Sequence, residues 1–159
     1  MSYAIITEND ESNWSDKTGE VYHHPKRYLK YIPKGTKVIY YKGRLTNNDY
    51  KNRRLTEAPH YFGIATVGKN YLDPSSEKND YYSEIVGFQR FERPVLIKHN
   101  NQHLEDIPEN LKTNYWRNAV RPITKEIYDK IIFFAEINEK DTPSTMDNFT
   151  TVIKTKERM

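Results

Sequence analysis

The sequence contains no cysteine in 159 residues and no extended apolar run. Without cysteine, disulfide bonds, thiol nucleophiles and cysteine-ligated zinc sites are excluded. No run approaches the roughly 18 apolar residues of a membrane-spanning helix, and the segment MSYAIITENDE lacks the basic and apolar regions of a signal peptide. We therefore expect a cytoplasmic protein with no membrane partner.

Common catalytic and cofactor-binding motifs are also missing. The patterns GxGxxG, GxxxxGKS/T, HExxH and GxSxG do not occur. The adjacent His23 and His24 would face opposite sides of a strand, and His99 and His103 lie in a segment with little helical character. We predict no metal, no cofactor and no catalytic residue, and hence a binding protein and not an enzyme.

Aromatic residues are abundant in an otherwise polar chain. Hydrophobic residues make up 36% and charged residues 30% of the sequence, and the mean hydropathy is -0.94. A chain of this length and polarity is expected to form one domain around one small core. Aromatics reach 13%, and 13 residues are tyrosine, which suits both a core and a wet binding surface.

The charges are unevenly distributed along the chain. Residues 1–20 hold five acids against one base, Lys17, whereas residues 21–54 hold ten bases against one acid, Asp49. A basic block of this kind is typical of a surface that binds a polyanion. The alternative is a solvated face without a partner.

The hydrophobic pattern predicts short strands with two helices between them and no regular βαβ alternation. Gly63, inside a predicted strand, indicates a bulge or a close backbone approach. Thr124 is predicted to cap the second helix. The predicted strands are Tyr3–Thr7, Lys37–Lys42, His60–Val67, Tyr81–Arg90 and a short one over Pro94–Ile97, and the predicted helices run from Pro25 to about Tyr31 and over Thr124–Glu136.

The order of these segments resembles the PUA-like superfamily, in particular its EVE and YTH domains. The resemblance rests on YAIIT, a polar loop, GEVYHHPKRYLKYIPKGTKVIYYKG, YFGIATVG and YYSEIVGFQRFERPV, and spans roughly residues 3–97. It implies an α+β fold, a small PUA-like mixed β-barrel of about five or six strands with two or more flanking helices. We expect one such domain over residues 1–136, and a linker, an arm or a last strand over residues 137–159.

The resemblance also implies a function, because YTH domains read methylated adenine in RNA and EVE-like domains attached to modification-dependent restriction nucleases read modified bases in DNA. An aromatic pocket then holds a base flipped out of the duplex, and basic residues hold the phosphates. Many members have tryptophan near the position of Tyr22. The implied base-binding residues are Asn13, Trp14, Tyr22, His23, Tyr41, Trp116 and Asn118, and the implied phosphate-binding residues are Lys26, Arg27, Lys42, Arg44, Arg53 and Arg54.

Three functions follow from these observations. The first is a DNA-binding module that recognises a modified base. Its partner is nucleic acid, with modified DNA favoured over RNA, and a nuclease domain or chain acts beside it. The second is a small ASCH-type PUA-like enzyme acting on RNA or a nucleotide through His23, Lys42 and Glu84. The third is an RNA-binding accessory protein without a modified-base pocket. Trp14, alone in a polar loop, is either a lid over the core or a stacking platform for a ligand.

Overall fold

A computed structural model describes residues 1–10, 17–112 and 114–140 of the chain. Asn13 and Trp14, together with the segment 148–155 in which the sequence suggested a last strand or tail, lie outside the described residues. None of the described helices is long and apolar enough to span a bilayer.

The core element is a mixed sheet of six strands. They are β1 Tyr3–Thr7, β2 Val21–His24, β3 Lys37–Lys42, β4 His60–Leu72, β5 Tyr81–Leu96 and β8 Val120–Ile123. Their order in the sheet is β2-β5-β4-β3-β1-β8; β1 and β3 run parallel, and every other neighbouring pair is antiparallel. The predicted strands are present, the last two of them joined in β5, and the sequence pattern missed β2 and β8.

Strands β6 (Lys98–His99) and β7 (Gln102–His103) form a separate small hairpin in a segment that the sequence predicted as loop. Its two turn residues, Asn100 and Asn101, have φ angles of 51° and 68°. Two consecutive positive φ angles are the geometry of a type I′ hairpin turn, and asparagine tolerates them better than most residues. The consecutive asparagines were the available signal for this hairpin.

Strand β5 is continuous where the sequence predicted two strands interrupted before Pro94. Its first residues pair with β2 only as far as Glu84, so the later part of β5 is hydrogen-bonded to β4 alone among the described strands. Proline lacks the N–H that a ladder on both sides of a strand requires, and it is therefore tolerated where a strand has one partner strand. The proline that indicated a break instead lies inside one continuous strand.

Glycine allows two elements to approach closely around Phe88. A Cβ on Gly63 would lie 2.7 Å from the Phe88 ring and 2.9 Å from the Gln89 carbonyl oxygen, and one on Gly19 would lie 3.0 Å from the same ring. The pairing register of β4 also shifts beside Gly63. The predicted close approach at Gly63 is confirmed.

The sheet curls, so that its two edges meet. The hydroxyl of Tyr22, on edge strand β2, donates to the Thr7 carbonyl at the end of β1, 3.0 Å away, and lies 3.5 Å from the Ala119 carbonyl beside β8. The result is a six-stranded half-barrel with a few helices, an α+β fold of the predicted kind.

Two helical segments cover this sheet. Lys26–Tyr31 is a 3-10 helix, which lies where the sequence predicted a helix from Pro25 to about Tyr31. It buries Tyr28 and exposes Lys26, Arg27 and Lys30. Helix α1 spans Lys125–Lys140, and the Thr124 hydroxyl accepts the Ile127 N–H at 3.2 Å, which confirms the cap. The helix therefore continues through residues 137–140, which the sequence placed in the linker or arm.

The hydrophobic side chains form two cores on the two faces of the sheet. The first core lies inside the curl and contains Ile6, Val38, Tyr40 and Phe62, with the Tyr28 ring packed over it. The second core lies beneath α1. It contains Ile5, Ile39, Tyr41, Tyr61, Phe91, Val95, Leu104, Ile127, Ile131 and Ala135.

A buried ion pair fixes the border of the second core. The Arg121 guanidinium donates to both Glu105 carboxylate oxygens at 2.8 and 2.9 Å, and the hydroxyls of Tyr61 and Tyr115 donate to the same carboxylate at 2.5 and 2.6 Å. Burial alone would raise the pKa of Glu105, but the Arg121 bonds and charge outweigh it and hold that pKa below its usual value. Glu105 is therefore an ionised, fully hydrogen-bonded group.

Replacing Glu105 with glutamine is expected to lower the free energy of unfolding by about 3–5 kcal/mol, because it leaves the buried Arg121 charge uncompensated. Urea denaturation would measure the loss. Lys125→Ala, which breaks the exposed Lys125–Asp129 pair, is the control and should change little. Equal stabilities for wild type and Glu105→Gln would contradict this role of the pair.

Candidate nucleic-acid interface

The parallel pairing of β1 with β3 brings acidic and basic residues together at one edge of the sheet. Glu8 and Asp10 follow β1, and Lys42 ends β3. The Lys42 amine lies 3.0 Å from an Asp10 oxygen and 3.6 Å from a Glu8 oxygen. A cavity of about 270 Å³ opens here, the strand-end cleft, lined by Glu8, Asn9, Asp10, Lys42, Gly43, Arg44, Thr46, Asn47, Tyr50 and Arg54.

Arg54 forms the second cationic contact of Asp10. Its guanidinium lies 2.6 Å from Asp10 and also donates to the carbonyls of Gly43 and Thr56, with its side chain 2% exposed. Burial would raise the pKa of Asp10, but the hydrogen bonds and charges of Lys42 and Arg54 lower it. The cleft is thus lined by an ionised carboxylate held between two cations.

Aromatic rings and a third cation lie beside Lys42. The ring of Phe62 lies 5.2 Å from that of Tyr40 and 6.5 Å from that of Phe88. The Lys42 amine is 5.5 Å and the Arg90 guanidinium 5.1 Å from the centre of the Phe62 ring. Phe62 and Tyr40 are buried in the first core, so these rings pack against the cations from inside, and the group offers charge to a nucleic acid but no open stacking face.

His60 lies below the same group and carries an unpaired atom. Its Nδ1 lies 2.8 Å from the Ala58 carbonyl, so Nδ1 bears the proton and Nε2 is a bare acceptor. That Nε2 is buried and has no hydrogen-bond partner among the described residues. Burial lowers the pKa of His60 to about 4, and the nearby Arg54 and Lys42 charges act in the same direction.

Comparison with known proteins identifies this architecture. No family model matches the sequence, and no curated protein matches it significantly. The structure is similar to the human THYN1 protein solved in complex with DNA containing 5-methylcytosine, with a TM-score of 0.56 and 12% identity over 86% of this chain and 98% of that one. It is also similar to Rpa0253 from Rhodopseudomonas palustris, with a TM-score of 0.54 and 17% identity over 86% and 94%.

A further similar structure is the N-terminal domain of McrB from Staphylothermus marinus, with a TM-score of 0.50 and 16% identity over 81% of this chain and 92% of that one. The chain shares the fold of these proteins, a small α+β fold of the PUA-like kind. The fold predicted from the resemblance is therefore confirmed. Among the residues described for this PUA-like domain, no group of three His, Asp or Glu side chains is placed to hold a metal ion.

The PUA-like domain places two of the predicted base-binding rings in different cores. Tyr22 is 3% exposed and packs in the first core, whereas Tyr41 is 5% exposed and packs in the second. Tyr41 lies 5.6 Å from Trp116, and the Arg121 guanidinium lies 4.7 and 4.8 Å from these two rings. The structure brings Tyr41 and Trp116 together, but not with Tyr22.

Two further predicted base-binding residues, His23 and Asn118, lie elsewhere on the PUA-like domain. His23 lies 2.9 Å from Asp73 and stacks on Tyr82, with ring centres 4.3 Å apart. Asn118 shares a separate cavity of about 330 Å³ with Arg27, next to the Lys26–Tyr31 helix. Neither the cavity at Asn118 nor the stack of His23 on Tyr82 is part of the strand-end cleft.

The predicted phosphate-binding residues divide into two groups. Lys42 and Arg54 have buried side chains and hold Asp10, whereas Lys26, Arg27, Arg44 and Arg53 are exposed. None of these exposed cations has a carboxylate partner in the part of the chain that the structure describes. The exposed group is therefore the one that presents its charge to solvent.

Sequence reasoning missed Asp10, Tyr40, Phe62, Phe88 and Arg90. The alternation of Phe88 with Arg90 after Gly87 was a usable signal, because residues two apart in a strand share a face. The role of Asp10 had no local signal, since its partners Lys42 and Arg54 lie 32 and 44 residues away in the sequence.

His60→Phe is expected to reduce the pH dependence of stability. With a folded pKa of about 4 against an unfolded value near 6.5, only the unfolded chain binds this proton between those pH values. Stability is therefore lost as pH falls through that window, by up to about 1.4 kcal/mol per pH unit. Urea unfolding between pH 7 and pH 4.5 measures the slope, and the exposed His99→Phe is the control. Identical slopes for His60→Phe and wild type would contradict the assignment.

Proposed function

We propose that this PUA-like domain is a non-enzymatic DNA-binding module that holds a modified base, flipped out of the duplex, at the strand-end cleft. The supporting observation is the convergence of carboxylate, cation and ring in one cleft. Asp10 supplies the carboxylate, Lys42 the cation and Tyr50 the ring, and all three line the cleft. The similarity to the THYN1 protein, solved with DNA containing 5-methylcytosine, adds support for DNA as the ligand.

The chemistry of the cleft suits a single base. Its volume of about 270 Å³ is just below the roughly 300–1,000 Å³ typical of drug-sized ligand pockets. The oxygens of Asp10 and Glu8 accept hydrogen bonds, whereas Lys42 donates them. The cleft therefore offers partners to both the donors and the acceptors on the edge of a base. Such contacts offset the few kcal/mol that base flipping costs.

Trp14 and Asn13 are proposed to complete the pocket. Trp14 follows Asp10 by four residues, which tethers it within about 14 Å of the cleft. We propose that Trp14 stacks on the flipped base and that Asn13 contacts its edge. Tyr22 and Tyr41 then support the pocket from the two cores and do not touch the base.

The exposed cations are proposed to hold the DNA backbone. Arg44 lines the cleft, and the Arg53 guanidinium lies 5.5 Å from the ring of Tyr50, another lining residue. Phosphate contacts position DNA without reading its sequence. A nuclease domain or chain that acts on the bound DNA remains a prediction from the resemblance.

Trp14→Ala is expected to weaken binding of the preferred modified duplex by about 5- to 150-fold, because stacking is worth about 1–3 kcal/mol per base. Fluorescence anisotropy with duplexes carrying single modified cytosines or adenines, against the unmodified duplex, measures this preference. Tyr71→Ala, at an exposed ring, is the control. Equal wild-type affinity for modified, unmodified and random oligonucleotides would refute the pocket, and turnover of a nucleotide or RNA would refute the non-enzymatic assignment.

The double variant Arg44→Ala/Arg53→Ala is expected to bind modified and unmodified DNA more weakly, by the same factor for both. Each lost phosphate contact lowers the slope of log affinity against log salt by about 0.9. Titrations at several KCl concentrations measure that slope. A loss confined to the modified duplex would show instead that these arginines contact the base.

A further inference from the structure

A third cavity, of about 410 Å³, opens where the end of β5 passes helix α1. We call it the β5–α1 cleft. It is larger than the strand-end cleft, and none of the residues implied by the family resemblance lines it. Its lining residues are Thr56, Arg93, Pro94, Val95, Leu96, Lys98, His99, Leu104 and Phe134.

The rim of the β5–α1 cleft is positively charged. Arg93 and Lys98 are exposed, and among the described residues neither forms a salt bridge. Within the described part of the chain, no aspartate or glutamate lines the cleft. Uncompensated cations around a concave surface raise the local concentration of anions. The ligand expected here is therefore an anion.

The floor of this cleft is apolar and aromatic. Val95 and Leu104 are buried, and the rings of His99 and Phe134 lie 4.4 Å apart. Inorganic phosphate would leave such a floor uncovered, whereas a nucleotide carries a sugar and a planar base beside its phosphate. The combination of cationic rim and aromatic floor fits a nucleotide better than a bare anion.

The two clefts adjoin through one short segment. Arg54 lines the strand-end cleft and Thr56 lines the β5–α1 cleft, and the Arg54 guanidinium donates to the Thr56 carbonyl at 3.1 Å. Two residues span at most about 7 Å of extended chain. Successive phosphates of one DNA strand are about 3.4 Å apart along the helix axis, so a strand leaving the first cleft reaches the second within a few nucleotides.

We propose that the β5–α1 cleft binds a nucleotide of the DNA flanking the modified base. Arg93 and Lys98 hold its phosphate, and its sugar or base packs against His99 and Phe134. This inference rests on the proposed function and extends it, because it assigns the DNA a direction across the domain. The occupant is a flanking nucleotide and not an acidic peptide because the cleft adjoins the strand-end cleft.

The double variant Arg93→Ala/Lys98→Ala tests the phosphate contact. Anisotropy titrations of the preferred modified duplex across KCl concentrations should show a slope reduced by about 0.9 for one lost contact, or twice that for two. The ratio of affinities for modified and unmodified DNA should stay unchanged. The control, Lys69→Ala/Lys78→Ala, removes the same charge at exposed positions on the other end of the sheet. A slope equal to that of the control would overturn the proposal.

A length series tests the position of the flanking nucleotide. Duplexes are shortened one base pair at a time from either end. The affinity of the wild-type protein should drop in one step on shortening from one end only, and the double variant should not show that drop. His99→Ala should reduce the step without changing the salt slope. A length series without any step for wild type would overturn the proposal.

The outcomes separate this inference from the proposed function. Failure of every modified and unmodified duplex to bind refutes the proposed function itself. Preference for a modified base, with an unchanged salt slope in the Arg93→Ala/Lys98→Ala variant, refutes only the flanking nucleotide. Binding of a poly-glutamate peptide that the double variant loses, with DNA binding intact, would assign the cleft to an acidic protein and overturn the proposal.

Discussion

The buried pair of Arg121 and Glu105 determines how the rest of this domain is arranged. Arg121 joins β8 to the loop after β7 through Glu105, and it also lies within 3.3 Å of the Thr7 hydroxyl at the end of β1. A buried charge is stable in few arrangements of its neighbours, because each hydrogen bond that it loses leaves part of its desolvation cost uncompensated. The end of β1 is thereby fixed, and the acidic residues that follow it are presented to Lys42 in a defined position.

Strand β3 shows how one short segment serves core and surface together. Tyr40 packs inside the curl, Tyr41 packs beneath α1, and Lys42 reaches the strand-end cleft. The basic block of the sequence is divided in a similar way. Its buried members, Lys42 and Arg54, are compensated by Asp10 and shape a cleft, whereas its exposed members keep their charge available. Net charge alone does not reveal this division, because it depends on which cations find a carboxylate in the folded chain.

The sequence predicted those elements whose patterns are local. The apolar runs of β1 and β3 and the helical spacing of Ile127, Ile131 and Ala135 each carry their own signal. Strand β2 was missed because VYHH is short and half polar, and β8 because Pro122 argues against a strand. The candidate site was less predictable. Whether a tyrosine faces a core or a ligand depends on the curl of the sheet, and the partners of Asp10 are distant in sequence.

The later part of β5, which pairs with β4 alone among the described strands, has a consequence for association between molecules. A strand edge can recruit a strand from another chain through its N–H and C=O groups, and charged side chains oppose this. Glu92 and Arg93 lie in this part of β5, and both are exposed. Their opposite charges would have to be desolvated in a dry interface between two such strands, which disfavours association of two domains along β5.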